Sequence, residues 1–110
     1  MTDLERIELE IKAEENKIEL SEAWVMLKKN KYFKQLFTEA YLKDYALGLL
    51  TFKASIQAQE PKVQSHVDMQ LNGVGALQQF LSNVSQTGRV AIETLASHKK
   101  ERELIMEDKE

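Results

Sequence analysis

The 110-residue chain contains no cysteine, a single proline and only four glycines. The lack of cysteine excludes a disulfide framework, a thiol nucleophile and cysteine-ligated zinc, and it suits a reducing compartment. A composition that is 43% hydrophobic and 30% charged, with so few turn-forming residues, is typical neither of disordered chains nor of loop-rich β-proteins. These absences favour one small all-α unit spanning residues 1–110.

Signals for export and membrane insertion are also missing. The amino terminus lacks the basic start and apolar core of a secretory signal. The longest apolar stretch, Tyr45 to Phe52, is far shorter than the ~20 residues needed to cross a bilayer. We therefore expect a cytoplasmic protein without a membrane partner.

Charge is distributed unevenly around the formal net charge of −3. Residues 1–27 contain eight acidic and three basic residues, whereas residues 28–62 contain seven lysines and three acidic residues. Between residues 63 and 98 only Asp68, Arg89 and Glu93 carry a full charge. A long helix with so few charges needs a surface to pack against.

The spacing of apolar residues predicts three helices, over about residues 2–29, 32–57 and 61–106. Thr2 and Glu5 have the spacing of a capping box, and Asn30 suits a left-handed helix cap. Pro61 suits the first turn of a new helix. One continuous helix from Thr2 to Ser55 is the alternative, because only Asn30 favours a break. Apolar positions at heptad-like spacing in the first helix are Leu4, Ile7, Ile11, Ile18 and Val25.

The third helix is amphipathic and coiled-coil-like, and its charge-poor stripe is the candidate interaction surface. We label this helix, about residues 61–106, α4 and name its stripe the α4 seam; the seam residues are Val67, Val74, Leu77, Leu81, Val84, Gly88, Ala91 and Leu95. The glycines Gly73, Gly75 and Gly88 indicate either a bend or a close helix contact. The expected architecture is all-α, an elongated helical hairpin or three-helix arrangement with a long C-terminal helix.

No pattern of residues indicates catalysis. The sequence contains neither the Glu-x-x-His of di-iron bundles nor the His-Glu-x-x-His of metalloproteases. Gly73-Val74-Gly75 lacks the third glycine and the preceding strand of a dinucleotide-binding loop. We expect His66 to be solvated and His98 to be a polar residue of the helix seam. The predictions are therefore no catalytic, cofactor-binding or metal site, and no enzymatic activity.

Four lysines near Asn30 form the one cluster that could contact nucleic acid: Lys28, Lys29, Lys31 and Lys34. Tyr32 and Phe33 lie between them and could stack on bases. Phe33 also fits the apolar face of the second helix, and the whole chain is acidic. We therefore expect a protein partner rather than a nucleic acid.

A set of residues in the middle of the chain resembles small α-helical proteins of tailed bacteriophages. In order they are Asn30, Phe33-Lys34, Ala40-Tyr41-Leu42, Ala46, Lys53-Ala54, Pro61, Gln64, Gly75-Ala76-Leu77 and Phe80. The resemblance covers about Lys28 to Phe80 and carries no site residues. It implies a phage context, in the host cytoplasm or the virion, and a structural or assembly role.

Two kinds of function fit these observations. In the first, the protein is a structural or assembly component that forms a homo-oligomer through the long helix. In the second, it is a phage accessory protein that captures a host protein, with Trp24 and the aromatic residues from Tyr32 to Tyr45 as anchors.

Overall fold

The computed structural model describes residues 1–108, and in that range the chain is all-α. The helices are α1 (Asp3–Lys28), α2 (Lys31–Phe33), a π-helix (Lys34–Tyr45), α3 (Ala46–Lys53), a 3₁₀-helix (Ile56–Ala58) and α4 (Pro61–Asp108). The first and third predicted helices are confirmed to within two residues at each end. No described helix combines the length and the apolar character that a membrane span requires.

The break between the first two helices depends on Asn30, but not through a left-handed cap. Its backbone is extended (φ −67°, ψ 129°), and its side-chain Oδ1 accepts hydrogen bonds from the amides of Tyr32 (2.9 Å) and Phe33 (3.0 Å). Asn30 is thus the N-cap of the second helix rather than the C-cap of α1. The alternative of one continuous helix to Ser55 is excluded.

The second predicted helix is continuous from Lys31 to Lys53 but has an unexpected interior. Residues Lys34–Tyr45 form a π-helix, in which hydrogen bonds join residues five apart and which is rare beyond a single turn. Aromatic rings four residues apart contact one another along it: Phe33–Phe37 and Tyr41–Tyr45 are stacked, and Phe37–Tyr41 is edge-to-face. The ring centroids are 5.1 Å apart for Phe33 and Phe37, 6.4 Å for Phe37 and Tyr41, and 5.6 Å for Tyr41 and Tyr45.

This helix ends at Lys53, four residues before the predicted end at residue 57. The side-chain amide of Gln64 donates to the carbonyl oxygens of Lys53 (2.9 Å) and Ala58, and the Ser55 hydroxyl donates to that of Phe52 (2.6 Å). Polar side chains therefore take the role of the next helical amides by donating to the last carbonyl oxygens, and the helix ends there. This local competition is not visible in the apolar spacing.

The described contacts group the chain into two compact units. Unit 1 contains Met1–Val25 and the part of α4 from Asn83, and unit 2 contains Met26–Ser82. The helix α4 runs without a break from Pro61 to Asp108, so Gly73 and Gly75 do not interrupt it.

In unit 1, α1 and the end of α4 are antiparallel. Ser21 lies against Gly88, and Arg6 pairs with Glu101. The buried core consists of Ile7, Ile11, Val84 and Ala91.

In unit 2, the second helix and the start of α4 are also antiparallel. Gln70 donates to the Tyr45 hydroxyl (3.0 Å), and Lys53 forms an ion pair with Asp68. The buried core consists of Leu49, Ala58, Val67 and Val74. Each unit thus closes a small apolar core by pairing α4 with an earlier helix.

Candidate interaction surfaces

The α4 seam is covered by the chain itself. Val67, Val74, Val84, Gly88 and Ala91 are buried, and Leu77, Leu81 and Leu95 are half-buried. The first four of the eight seam residues lie in unit 2 and the last four in unit 1. Packing within the chain therefore explains the scarcity of charge on this stripe, and a second copy is not needed to cover it. The stripe was expected to be the interaction surface of a homo-oligomer, whereas its residues are buried or half-buried within the chain.

Gly88 lies in close contact with α1 in unit 1. A Cβ atom added at Gly88 would lie 2.2 Å from both Cβ and Oγ of Ser21 and 3.6 Å from the Lys17 carbonyl oxygen. Of the two expectations for the glycines, a bend or a close contact, Gly88 provides the contact. Gly75 has no atom within 4 Å of such a Cβ, and Gly73 has only the Tyr41 hydroxyl, at 3.9 Å.

Four charged or titratable side chains meet between α1 and α4 in unit 1. Arg6 donates from Nη1 to Glu10 Oε1 (3.0 Å) and from Nη2 to Glu101 Oε1 (2.9 Å). His98 Nδ1 lies 3.6 Å from Glu10 Oε2 and 3.9 Å from Glu101 Oε2. The hydrogen bonds to Glu101 and Glu10 raise the pKa of Arg6 above its ordinary value, so the guanidinium is charged at any working pH.

This cluster was not predicted from the sequence, although part of its signal is local. Glu101 follows His98 by three residues, a spacing that places both side chains on one face of a helix. Glu10, 88 residues earlier in the chain, joins them only through the fold. Ligand atoms of Glu10, His98 and Glu101 lie within 4.8 Å of one another, which is a spacing that could hold a metal ion. Both carboxylates already accept hydrogen bonds from Arg6, however, so the positively charged guanidinium is the cation that they bind.

Replacing Arg6 with methionine should lower the free energy of unfolding only slightly, because Arg6 and Glu101 are 43% and 45% exposed. Glu10 and Glu101 would then repel each other without a cation between them. The loss should shrink in 1 M salt, since screening weakens the repulsion and the lost pair alike. Urea unfolding followed by circular dichroism at low and high salt measures this loss of unfolding free energy, with Lys99→Met as the exposed control. A loss that does not depend on salt would contradict the electrostatic explanation.

The four lysines predicted as a possible nucleic-acid contact are exposed around Asn30. The aromatic rings beside them are engaged within the chain. Lys31 Nζ lies 5.2 Å from the centroid of the Tyr32 ring, and Phe33 stacks on Phe37. The cluster thus offers positive charge beside Tyr32, which is 68% exposed, and Phe33, which is half-buried.

Exposed apolar side chains are the most prominent surface feature of the described residues. Eight apolar side chains are buried, but twenty large ones are exposed. In unit 2 the most exposed are Met26, Tyr32, Leu36, Leu47, Leu50, Ile56, Met69 and Phe80. In unit 1, apart from Met1, they are Leu9, Leu20, Val90, Ile92 and Leu104. Single exposed apolar residues are ordinary, whereas contiguous exposed apolar patches are the usual sign of a binding site.

Comparison of the chain with protein-family models, with curated proteins and with solved structures gave no match, so the residues themselves carry the functional argument.

Proposed function

We propose that this chain is a non-enzymatic helical structural or assembly protein that works by self-association. The observation that carries the proposal is the excess of exposed over buried large apolar side chains in a chain whose two small cores are already closed. Since burial of such side chains contributes about 1.5–3 kcal/mol each, surfaces of this kind favour association. The surface is not the α4 seam, because that stripe is covered within the chain.

The absence of enzymatic activity is part of the proposal. Catalytic groups depend on desolvated, convergent polar side chains with shifted pKa values. Among residues 1–108 no polar or charged side chain is buried. The polar cluster around Arg6 is partly exposed and its guanidinium pairs with both carboxylates, which suits an ion-pair network better than a reaction centre.

The setting that we propose is a tailed phage, with the protein in the host cytoplasm during assembly or in the virion. Support for this setting comes from the sequence resemblance between Lys28 and Phe80. Self-association in the cytoplasm also suits a chain without cysteine.

Sedimentation equilibrium of the full chain over a range of concentrations tests the proposal. We expect a mass above that of the 12.7 kDa monomer that falls towards it on dilution. A monomer at every concentration, with unchanged helix content, would remove self-association as the function.

Capture of a host protein is a second candidate, and the second helix favours it. Tyr32 and Leu36 are 68% and 62% exposed, and tyrosine is enriched among the residues that dominate binding energy. A tagged chain should then retain one bacterial protein in stoichiometric amount, and Leu36→Lys should abolish that retention. Retention of the same protein by the Leu36→Lys variant would contradict this site.

A further inference from the structure

Helix α1 has a second stripe of small and apolar residues on the side away from α4. We name it the outer seam; its residues are Leu9, Ala13, Asn16, Leu20 and Ala23, at intervals of four, three, four and three. This is the spacing of a coiled-coil contact face. All five residues are exposed, and Leu9 and Leu20 are each 55% exposed.

The outer seam is distinct from the stripe that closes the core of unit 1. The core stripe of α1 contains the buried Ile7 and Ile11 and the half-buried Ile18. At 3.6 residues per turn, Leu9 and Leu20 lie on the opposite side of the helix from these isoleucines. A surface helix of a small protein needs only one apolar stripe, so the second stripe is available for a partner.

We infer that the outer seam binds the α1 helix of a second copy of this chain, antiparallel to it. This inference rests on the proposed self-association and names its site. In the register that we propose, Leu9 faces Leu20 of the second copy and Leu20 faces its Leu9. An antiparallel pair of identical helices is related by a two-fold axis, so the contact closes at a dimer.

Charge complementarity selects this orientation. In the proposed register Lys12 flanks the seam opposite Glu19 of the second copy, and the two-fold axis repeats the pair. Both side chains are exposed. In a parallel pairing, the flanking positions would place Lys12 opposite Lys17 and Glu5 opposite Glu10 of the second copy. Flanking charges set the orientation of paired helices, and like charges in both places disfavour the parallel one.

The remaining seam residues fit a close but moderate contact. Ala13 and Ala23 let the helix backbones approach each other. Asn16 lies opposite Ala13 of the second copy and places a polar side chain among the apolar ones, which costs stability. The dimer should therefore form and dissociate with protein concentration rather than be permanent.

The leucine test compares the full chain with the double variant Leu9→Lys/Leu20→Lys by sedimentation equilibrium. We expect the dissociation constant of the dimer to rise at least about a hundredfold, since four leucines lose their apolar contacts. Helix content and unfolding midpoint of the monomer should not change, because both positions are exposed. Leu104→Lys, which changes a 62% exposed leucine of α4, is the matched control and should associate as the unaltered chain does.

Two further variants test the seam and its orientation without adding charge to the leucine positions. Asn16→Leu should tighten the dimer. Lys12→Glu should weaken an antiparallel dimer, and the double reversal Lys12→Glu/Glu19→Lys should restore it. In a parallel dimer Lys12→Glu would strengthen association, which would overturn the orientation.

The outcomes separate this inference from the proposed function. If the unaltered chain and the leucine double variant associate equally, the outer seam is not the site, although self-association stands. If the unaltered chain is a monomer at every concentration, both the proposed self-association and the outer-seam dimer are contradicted. If the leucine double variant unfolds, the Asn16→Leu variant is the deciding test. The inference is overturned if Asn16→Leu associates as weakly as the unaltered chain or more weakly.

Discussion

The Val67→Asp variant is expected to lose about 4 kcal/mol or more of unfolding free energy. Val67 is only 2% exposed and lies in the core of unit 2. The substitution removes a buried apolar side chain, worth about 1.5–3 kcal/mol, and places a carboxylate in its position without a hydrogen-bonding partner. Because small domains are stable by only about 5–15 kcal/mol, this is a large part of the total.

Met69→Asp is the matched control for that substitution. Met69 lies two residues further along α4 and is 69% exposed, so its carboxylate would remain in water. Thermal and urea unfolding followed by far-ultraviolet circular dichroism measure both variants. Equal losses at the two positions would mean that the start of α4 is not packed against the second helix as described.

The Gly88→Ala variant should be destabilised by about 1–3 kcal/mol, although alanine is the better helix former. The added Cβ would meet Ser21 Cβ at 2.2 Å, and that atom cannot move away without separating α1 from α4. The energetic cost of overpacking should therefore exceed the gain of about 1 kcal/mol in helix propensity.

Gly75→Ala provides the control in the same helix. An added Cβ at Gly75 meets nothing within 4 Å, so this variant should be stabilised by about 1 kcal/mol. Exchanging the two residues at the contact, as Ser21→Gly/Gly88→Ala, should recover most of the loss, because the side chain is then on one helix only. If Gly88→Ala and Gly75→Ala raise the unfolding midpoint equally, the close approach at Gly88 does not exist in solution.

Helix boundaries and core-facing residues could largely be predicted from the sequence. The heptad positions of α4 in unit 1, including Val84, Ala91 and Leu95, are buried or half-buried as the spacing indicated. Periodicity is a local property, so it identifies the stripe that faces a neighbour without any knowledge of the fold. The predicted helix end at residue 57 was wrong. Gln64, which lies in α4, donates hydrogen bonds to the carbonyl oxygens of Lys53 and Ala58.

The candidate site was less accessible to sequence reasoning. The spacing of His98 and Glu101 was present in the sequence, but Arg6 and Glu10 join them only when α1 lies antiparallel to α4. The outer seam could have been read from Leu9 and Leu20, which share one face of a helix. Its importance depends on the finding that the other stripe of α1 is already buried.

The lack of cysteine and the scarcity of proline and glycine, together with the apolar spacing, determined an all-α chain with a long final helix. They also determined which residues of that helix lie on a seam. Only the tertiary structure decided what covers the seam. An apolar stripe has the same period of 3.6 residues whether it packs against a helix of the same chain or against a helix of another chain. It assigned the α4 seam to the chain's own helices, and thereby left the outer seam of α1 as the surface that we propose for a second copy.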